Sequence, residues 1–387
     1  MSKRVIRYRL ILPRLAWLCA LIVTSGVTVA VGCAPVRPAA SPPAAAGGPS
    51  LTWLAEFTRP SGAAYPQLSD SRAFGSLSGL VRDALGDQYV AVIDDREGTR
   101  MAWLSITAPG GRLEVSPRRM QALRAAPGIQ ERLVSQADLE AIVALPDGTF
   151  LMAEEGHRIR DAVWPPALLQ VARDGTVTGM VDFPGEFQIT AGVETGVRDN
   201  QGIESLTLTP AGRLIAGLEQ PLAQHPVTTP ERGGEGRLIE FVANGTTWRP
   251  GRQWRYPIAP TPTVAEFPVA CGDGENGLVE LLALTETTLI AMERACWLNA
   301  SGTAAANPIQ LFVVTLSGDE ARKTLLLDLS TITPKLSPAL AYLDNFEGLA
   351  FGPTVNGART LLLMSDDNFR RNQKTSFLLF GMGSVLE

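Results

Sequence analysis

The chain has 387 residues, 45% of them hydrophobic and 19% charged, with 34 Lys+Arg against 39 Asp+Glu. That apolar content excludes a wholly disordered chain, and a formal charge of −5 excludes a nucleic-acid binder that relies on a broad basic surface. With 2 histidines in all, a His-rich zinc site is excluded, and a Ser-His-Asp site would have to use His157 or His225.

Residues 1–14 carry Lys3, Arg4, Arg7, Arg9 and Arg14 with no acid, and 15–31 form an uncharged, mostly apolar run leading to Gly32 and Cys33. A basic start, an apolar centre and small residues before a cleavage point read as an export signal over 1–32. The small residues directly before Cys33 read further as a lipobox, which would make Cys33 the acylated first residue of a lipoprotein. Ala30 stands where a branched residue is more usual, so an ordinary signal peptide is the alternative. The Pro/Ala/Gly-rich stretch 33–50 has the composition of a tether. The expected location is therefore the periplasm or the cell surface, with the membrane as partner through the lipid. Loss of 1–32 removes 5 basic residues from 34 and leaves 29 against 39, a net −10 that suits cations better than polyanions.

The body, 51–387, repeats one plan five times. An apolar segment around Ser78, Glu140, Glu204, Glu280 or Glu347 is followed by a turn and by a second apolar segment ending in acids. The turns fall at 86–87, 147–148, 211–212, 286–287 and 356–357, most of them with Gly beside a small or acidic residue, the usual hairpin chemistry. Opposed residues of an antiparallel hairpin have numbers of constant sum. With these turns as centres, Ser78 is expected to face Asp95, Glu140 to face Glu155, Glu204 to face Glu219, Glu280 to face Glu293, and Glu347 to face Asp366.

Two further strands are expected after each hairpin: 101–106 with 112–115, 167–171 with 177–183, 237–242 with 253–257, and 308–315 with 323–329. The fifth hairpin has only 375–381, and its missing strand is supplied if 51–58 closes the ring. The expected fold is all-β, a β-propeller of five four-stranded blades, with six possible if 221–276 hides another sheet. A short helix is expected within 118–140.

Like charges opposed in a sheet are destabilising, so repeated acid pairs imply a positive partner. The first strand of a propeller blade lines the central channel, and the pairs would ring one mouth of it. Carboxylates without His or thiolate companions suit hard cations, Ca²⁺ above all. The candidate ligands are Glu140, Glu155, Glu204, Glu219, Glu280, Glu347 and Asp366. Arg96, Arg158, Arg294, Arg370, Arg371 and Lys374 stand beside the acids, and the arginines, Arg96, Arg294 and Arg371 first, present forks suited to an anionic substrate, though each could instead pair with a neighbouring carboxylate. Cys271 and Cys296 are an even pair in an oxidising compartment, and a disulfide is expected, with two buried free thiols as the alternative. Closing that loop stabilises by about 3 kcal/mol. No Gly-x-Ser-x-Gly motif and no glycine-rich phosphate loop occurs.

The segments 344–350 (DNFEGLA), 361–369 (LLLMSDDNF) and 375–380 (TSFLLF) resemble the C-terminal part of the phytase-like family known as "esterase-like activity of phytase". Gly79 with Leu80, Asp94 to Arg96, Glu140 with Glu154 to Gly156, Asn200 to Glu204, and Glu293 with Arg294 extend the resemblance over 51–387. It implies a β-propeller, export, and hydrolysis of phosphate or carboxylate esters. Ser78 departs from the Glu of the other repeats, which weakens a symmetric metal ring.

The resulting expectation is a monomeric, calcium-dependent hydrolase of small anionic esters, phosphomonoesters first, with metal-activated water and Glu155 or Glu219 as base. A calcium-dependent lactonase or arylesterase is the second reading, and a tethered binding propeller without catalysis the third.

Overall fold

A computed structural model describes residues 48–387 apart from 71–73, 161, 190–194, 273–275, 385 and 387. The export signal, Cys33 and nearly all of the tether lie outside the described residues.

The described chain is built from antiparallel four-stranded meanders. The first is β2 (Leu77–Arg82), β3 (Tyr89–Ile93), β4 (Arg100–Thr107) and β5 (Glu114–Ala122); β1 (Leu51–Pro60) precedes them. The second is β6 (Leu139–Ala144), β7 (Phe150–Glu154), β8 (Ala167–Val171) and β9 (Thr176–Asp182), with a two-residue strand at Arg124–Ala125 added to its outer edge. The third is β10 (Ile203–Leu208), β11 (Leu214–Leu218), β12 (Gly234–Asn244) and β13 (Thr247–Ile258). The fourth is β14 (Asn276–Ala283), β15 (Thr288–Ala295), β16 (Ile309–Ser317) and β17 (Glu320–Asp328), touching the third along one parallel bridge, Arg255 to Glu320. The last is β18 (Asn345–Phe351), β19 (Thr360–Asp366) and β20 (Lys374–Met382), whose outer edge is taken by β1. Each first strand packs beside the first strands of the two adjacent meanders, β2 by β6, then β10, β14, β18 and back to β2. This ring is a β-propeller whose blades are the meanders, and β1 closes it by pairing with β20 from Leu51 with Met382 to Pro60 with Lys374. That closure removes the edge the last blade would otherwise expose.

The second strand of each blade reads as an unbroken apolar run because both its faces are covered. Val90 and Val92 of β3 pack with Phe150 and Met152 of blade 2, while Tyr89, Ala91 and Ile93 face Leu362 and Met364 of blade 5. Leu361 and Leu363 of β19 turn the other way, onto Ile290 and Met292 of blade 4. One apolar cluster thus fills each gap between neighbouring blades, and each fully buried Leu, Ile or Val contributes about 1.5–3 kcal/mol.

The expected outer strands are present, 167–171 with the expected bounds, 177–183 shifted by one residue and the others longer, and the short helix within 118–140 is Glu131–Ser135. Residues 221–276 hold β12 and β13, the outer half of blade 3, and among the described residues no further four-stranded meander. An element not anticipated is a three-stranded ribbon of Val269–Ala270, Trp297–Leu298 and Ala305–Ala306, beside which Cys271 and Cys296 form a disulfide with Cα atoms 5.5 Å apart.

The hairpin register differs from expectation. Every first strand carries a β-bulge near its start, between Leu77 and Leu80, Leu139 and Ala141, Ile203 and Ser205, Leu278 and Glu280, and Phe346 and Gly348. Leu139 therefore pairs with Glu154, Ile203 with Leu218, Leu278 with Glu293 and Asn345 with Asp366, so the expected acid pairs do not sit directly opposite one another. A bulge inserts an unpaired residue and re-aims its side chain.

Candidate metal centre at the channel mouth

In blades 2, 3 and 5 the bulged residue is the acid itself: Glu140, Glu204 and Glu347. In blade 1 the bulge holds Ser78 and Gly79. Gly79 is needed there because a Cβ would lie 2.7 Å from Ala141 Cα on the adjacent inner strand. Ser78 replaces a carboxylate with a donor, and its Oγ bonds to Glu140 Oε2 at 2.5 Å and Glu347 Oε2 at 3.5 Å. In blade 4 the bulged residue is Val279, so Glu280 drops one place down the channel, where its Oε1 accepts the N–H groups of Leu281 at 2.9 Å and Leu206 at 3.4 Å. Glu280 is thus apart from the other acids, contrary to expectation. Blade 4 delivers Arg294 to the mouth instead, 3.1 Å from Glu347 and 3.6 Å from Glu219.

The mouth is a cavity of about 420 Å³ walled by Asp94, Glu140, Glu204, Glu219, Glu347 and Asp366, with Arg294 and Arg370 among them. Two groups of three acids each bring one oxygen per residue within 4.8 Å of the others: Asp94, Asp138 and Glu140, and Glu155, Glu204 and Glu219. The groups differ in their compensation. In the first, Arg96 bonds to both Asp138 and Asn200, and Asp94 shares a hydrogen bond with Asp138. In the second, Glu155 Oε1 accepts from Gly202 N at 3.0 Å, while Glu155 Oε2 and Glu204 Oε2 are buried with no hydrogen-bond partner among the described residues. Buried polar atoms are almost always paired, and these two need a cation or protons. The donor set is oxygen alone, since Cys271 and Cys296 are oxidised, and it fits a hard divalent ion such as calcium.

Burial, and then the neighbouring carboxylates, hold Glu140, Glu155 and Glu204 well above the usual carboxylate range. Burial and Glu347 do the same to Asp366. Burial and the charge of Asp138 push Asp94 up to about 9. Asp138 moves the other way: burial raises it, but the hydrogen bonds with Arg96 and Asp94 bring it below its ordinary value. Glu347 is raised by burial against the pull of Arg294, Asn345 and Ser78. Burial works against the charge of Arg294, and the surrounding carboxylates more than restore it.

Of the expected ligands, Glu140, Glu155, Glu204, Glu219, Glu347 and Asp366 are therefore gathered at one mouth, and Glu280 is not. Arg294 lies there, tied to two acids. Arg96 is tied to Asp138 beside it. Arg371 is exposed and outside the cavity wall, where Arg370 stands in its place. Asp94 and Asp138 are the residues that sequence reasoning passed over, while Arg370 stands among the basic residues it placed beside the acids. Asp94 was hidden by the bulge: Asp95, chosen from the unbulged register, instead pairs with Arg100 at 2.7 Å. The run 94–96, two acids followed by Arg, was the available signal. His157 is a structural histidine, buried with Nδ1 2.8 Å from Glu154 Oε1 and its ring stacked on Trp164 at 5.0 Å.

A family model for phytase-like proteins, "esterase-like activity of phytase", matches residues 72–369. The chain belongs to this family. No curated protein matches the sequence. Among solved structures, the chain is similar to an α-L-arabinanase mutant from Cellvibrio cellulosa at 10% identity and a TM-score of 0.42, covering 78% of this chain and 90% of that one. An exo-1,5-α-L-arabinanase from a bovine ruminal metagenomic library gives 10% identity and a TM-score of 0.40, with 83% and 96% covered. The Dos1 propeller gives 7% identity and a TM-score of 0.32, with 79% and 68% covered.

Proposed function

We propose that the protein is a divalent-cation-dependent ester hydrolase, with calcium as the cation and phosphomonoesters as the first substrate class. The observation that carries this reading is the pair of buried, unpartnered oxygens, Glu155 Oε2 and Glu204 Oε2, beneath an open acidic cavity. A bound calcium supplies Lewis-acid polarisation of the ester and a lowered pKa for water. Glu155 lies beneath the cavity wall and serves as a ligand with Glu204. Glu219 reaches both the cavity and the ligand group, and takes the proton from water as general base. Arg370, on the wall, holds the anionic end of the substrate, and Arg294 keeps Glu219 and Glu347 in place.

The basic and apolar segment before Cys33 supports the further proposal that the chain is exported, acylated at Cys33 and held at a membrane facing the periplasm or the cell exterior, as a monomer. Among the described residues no helix is long and apolar enough to cross a membrane.

A second reading, hydrolysis of neutral aryl esters or lactones, is favoured by one observation. Arg96 and Arg294 are already engaged by carboxylates, which leaves a thin anion clamp. Hydrolysis of phenyl phosphate and phenyl acetate, each with EDTA and after calcium is restored, tests both. Activity lost to EDTA and regained with calcium is the expected result. Indifference to chelation removes the cation, and no turnover of either ester leaves a binding propeller. Arg370→Ala then separates the readings: at least a tenfold fall in the phosphate-to-acetate ratio is expected of a phosphate site.

A further inference from the structure

The acidic mouth does not end at its rim. Leu298, Ala305, Arg370 and Gln373 line both the mouth and an adjoining cavity of about 360 Å³. That cavity in turn shares Ala341 and Tyr342 with a third, of about 260 Å³. The third also shares Asn307 with the mouth, so the three adjoin as one groove, whose lining changes from carboxylates and amides at the channel to Pro262, Val264 and Leu343 in the third cavity. Tyr342 stands where the last two cavities meet. It is 52% exposed, a large fraction for a ring of its size, yet it is not loose: Phe267 meets it edge-on with centroids 4.8 Å apart. Phe267 belongs to a small apolar cluster with Trp297 and Ala306, and Trp297 Nε1 donates to Pro262 O at 2.7 Å. The far wall of the groove is therefore braced, and the open face of Tyr342 is presented in a fixed place. At the junction nearest the channel, Arg370 makes no ion pair with a described residue.

We propose that this groove is a leaving-group subsite and that the substrate is an ester whose alcohol part carries an aromatic ring, stacked on Tyr342 while Arg370 holds the anionic end at the mouth. The proposal rests on the hydrolase reading for the word leaving group. In that reaction water forms the new bond to phosphorus as the bond to the ester oxygen breaks, and the departing aryl or arylmethyl oxide takes up the proton. Aromatic pairs of this kind give a preference of about three- to tenfold.

The test is calorimetric binding to the protein, with calcium present, of naphthylmethylphosphonate against methylphosphonate, neither of which is hydrolysed. A three- to tenfold preference for the ring compound is expected, abolished in Tyr342→Ala and kept in Tyr342→Phe. Equal affinities in the wild type, no binding of the ring compound, or a preference that survives Tyr342→Ala each overturns the proposal. Phenyl phosphate turnover is followed in parallel. A retained ring preference with no turnover of phenyl phosphate or phenyl acetate sinks the hydrolase reading and leaves the aromatic subsite standing.

Discussion

The amide of Gly202 donates to Glu155 Oε1 at 3.0 Å, and the next amide, Ile203 N, donates to the Glu155 carbonyl at 3.1 Å. Two backbones, the approach to β10 and the chain just past the end of β7, are clamped together by one glutamate, which is thereby aimed at Glu204 and Glu219. A Cβ on Gly202 would lie 2.0 Å from the Glu155 carbonyl oxygen, so no side chain fits without parting them. Gly202→Ala is expected to destabilise the protein by about 1–3 kcal/mol, as overpacking does. It should also weaken calcium binding, because Glu155 moves with its backbone. Urea denaturation and calorimetry with calcium check both. An unchanged midpoint with unchanged affinity would show that the clamp does not hold the glutamate.

Glu204 and Glu280 occupy equivalent places in their repeats and should respond in opposite ways. Glu204 Oε2 is buried without a partner, whereas Glu280 Oε1 is satisfied by two backbone N–H groups. Glu204→Gln removes a ligand and should lower calcium affinity by at least about 100-fold, beyond the loss usual for outer-shell partners. It should also raise the melting temperature in EDTA near neutral pH, since the cost of holding that buried carboxyl in its protonated form is gone. Glu280→Gln should leave calcium affinity within about threefold, a small change against that loss. Similar losses in both variants would mean that the ring is symmetric after all.

The raised carboxylates fix the sign of the pH dependence. In the unfolded chain Glu140, Glu155 and Glu204 ionise near their ordinary values, about 4. Folded, they hold their protons to higher pH because burial penalises the charged form. Their contribution to stability is complete below about pH 4 and is lost as pH rises through the folded values, and Asp94 extends the window to about 9. In EDTA the melting temperature should therefore fall from pH 5 to pH 8. Calcium competes with protons for the same oxygens, so the stabilisation it adds should grow over that range, reaching about 2.7 kcal/mol at 100 times its dissociation constant. A melting temperature in EDTA that climbs between pH 5 and pH 8 would contradict the assigned burial of charge.

The blade plan was legible because its cause is periodic: the inner hairpin of every blade must be apolar on both faces, and β1 must cover β20. The site was legible only in part. Acid at the start of the first strand and acid at the end of the second are visible in composition, and Glu140, Glu204, Glu347 and Asp366 follow from them. The bulges are not visible, because an unpaired residue in an inner strand leaves no mark beyond an occasional glycine such as Gly79 or Gly348. They decide which acid faces the channel, and they account for Asp94 in place of Asp95 and for the loss of Glu280. The choice between Arg370 and Arg371 has a different origin: both are visible beside the acids, but both follow β19 in a loop, where alternation along a strand does not say which one faces the cavity.

Among the described residues Arg294 is the cation that blade 4 sends to the mouth, and its removal tests whether a divalent ion and an arginine share the task of neutralising the acids there. Its guanidinium lies 3.1 Å from Glu347 and 3.6 Å from Glu219, and its side chain is 12% exposed. Breaking a buried pair by deleting one partner costs about 3–5 kcal/mol, because the remaining charge is stranded. Arg294→Met keeps most of the packing volume and removes the charge, so in EDTA at pH 8 a loss approaching that size is expected. With calcium added, much of the loss should be recovered, giving a larger calcium-induced rise in melting temperature than the wild type shows. At pH 5, where Glu347, raised by burial, is closer to neutral, the deficit should be smaller than at pH 8. A deficit of equal size at both pH values, with no added response to calcium, would mean that Arg294 acts through packing alone and is not part of a shared charge balance with the cation.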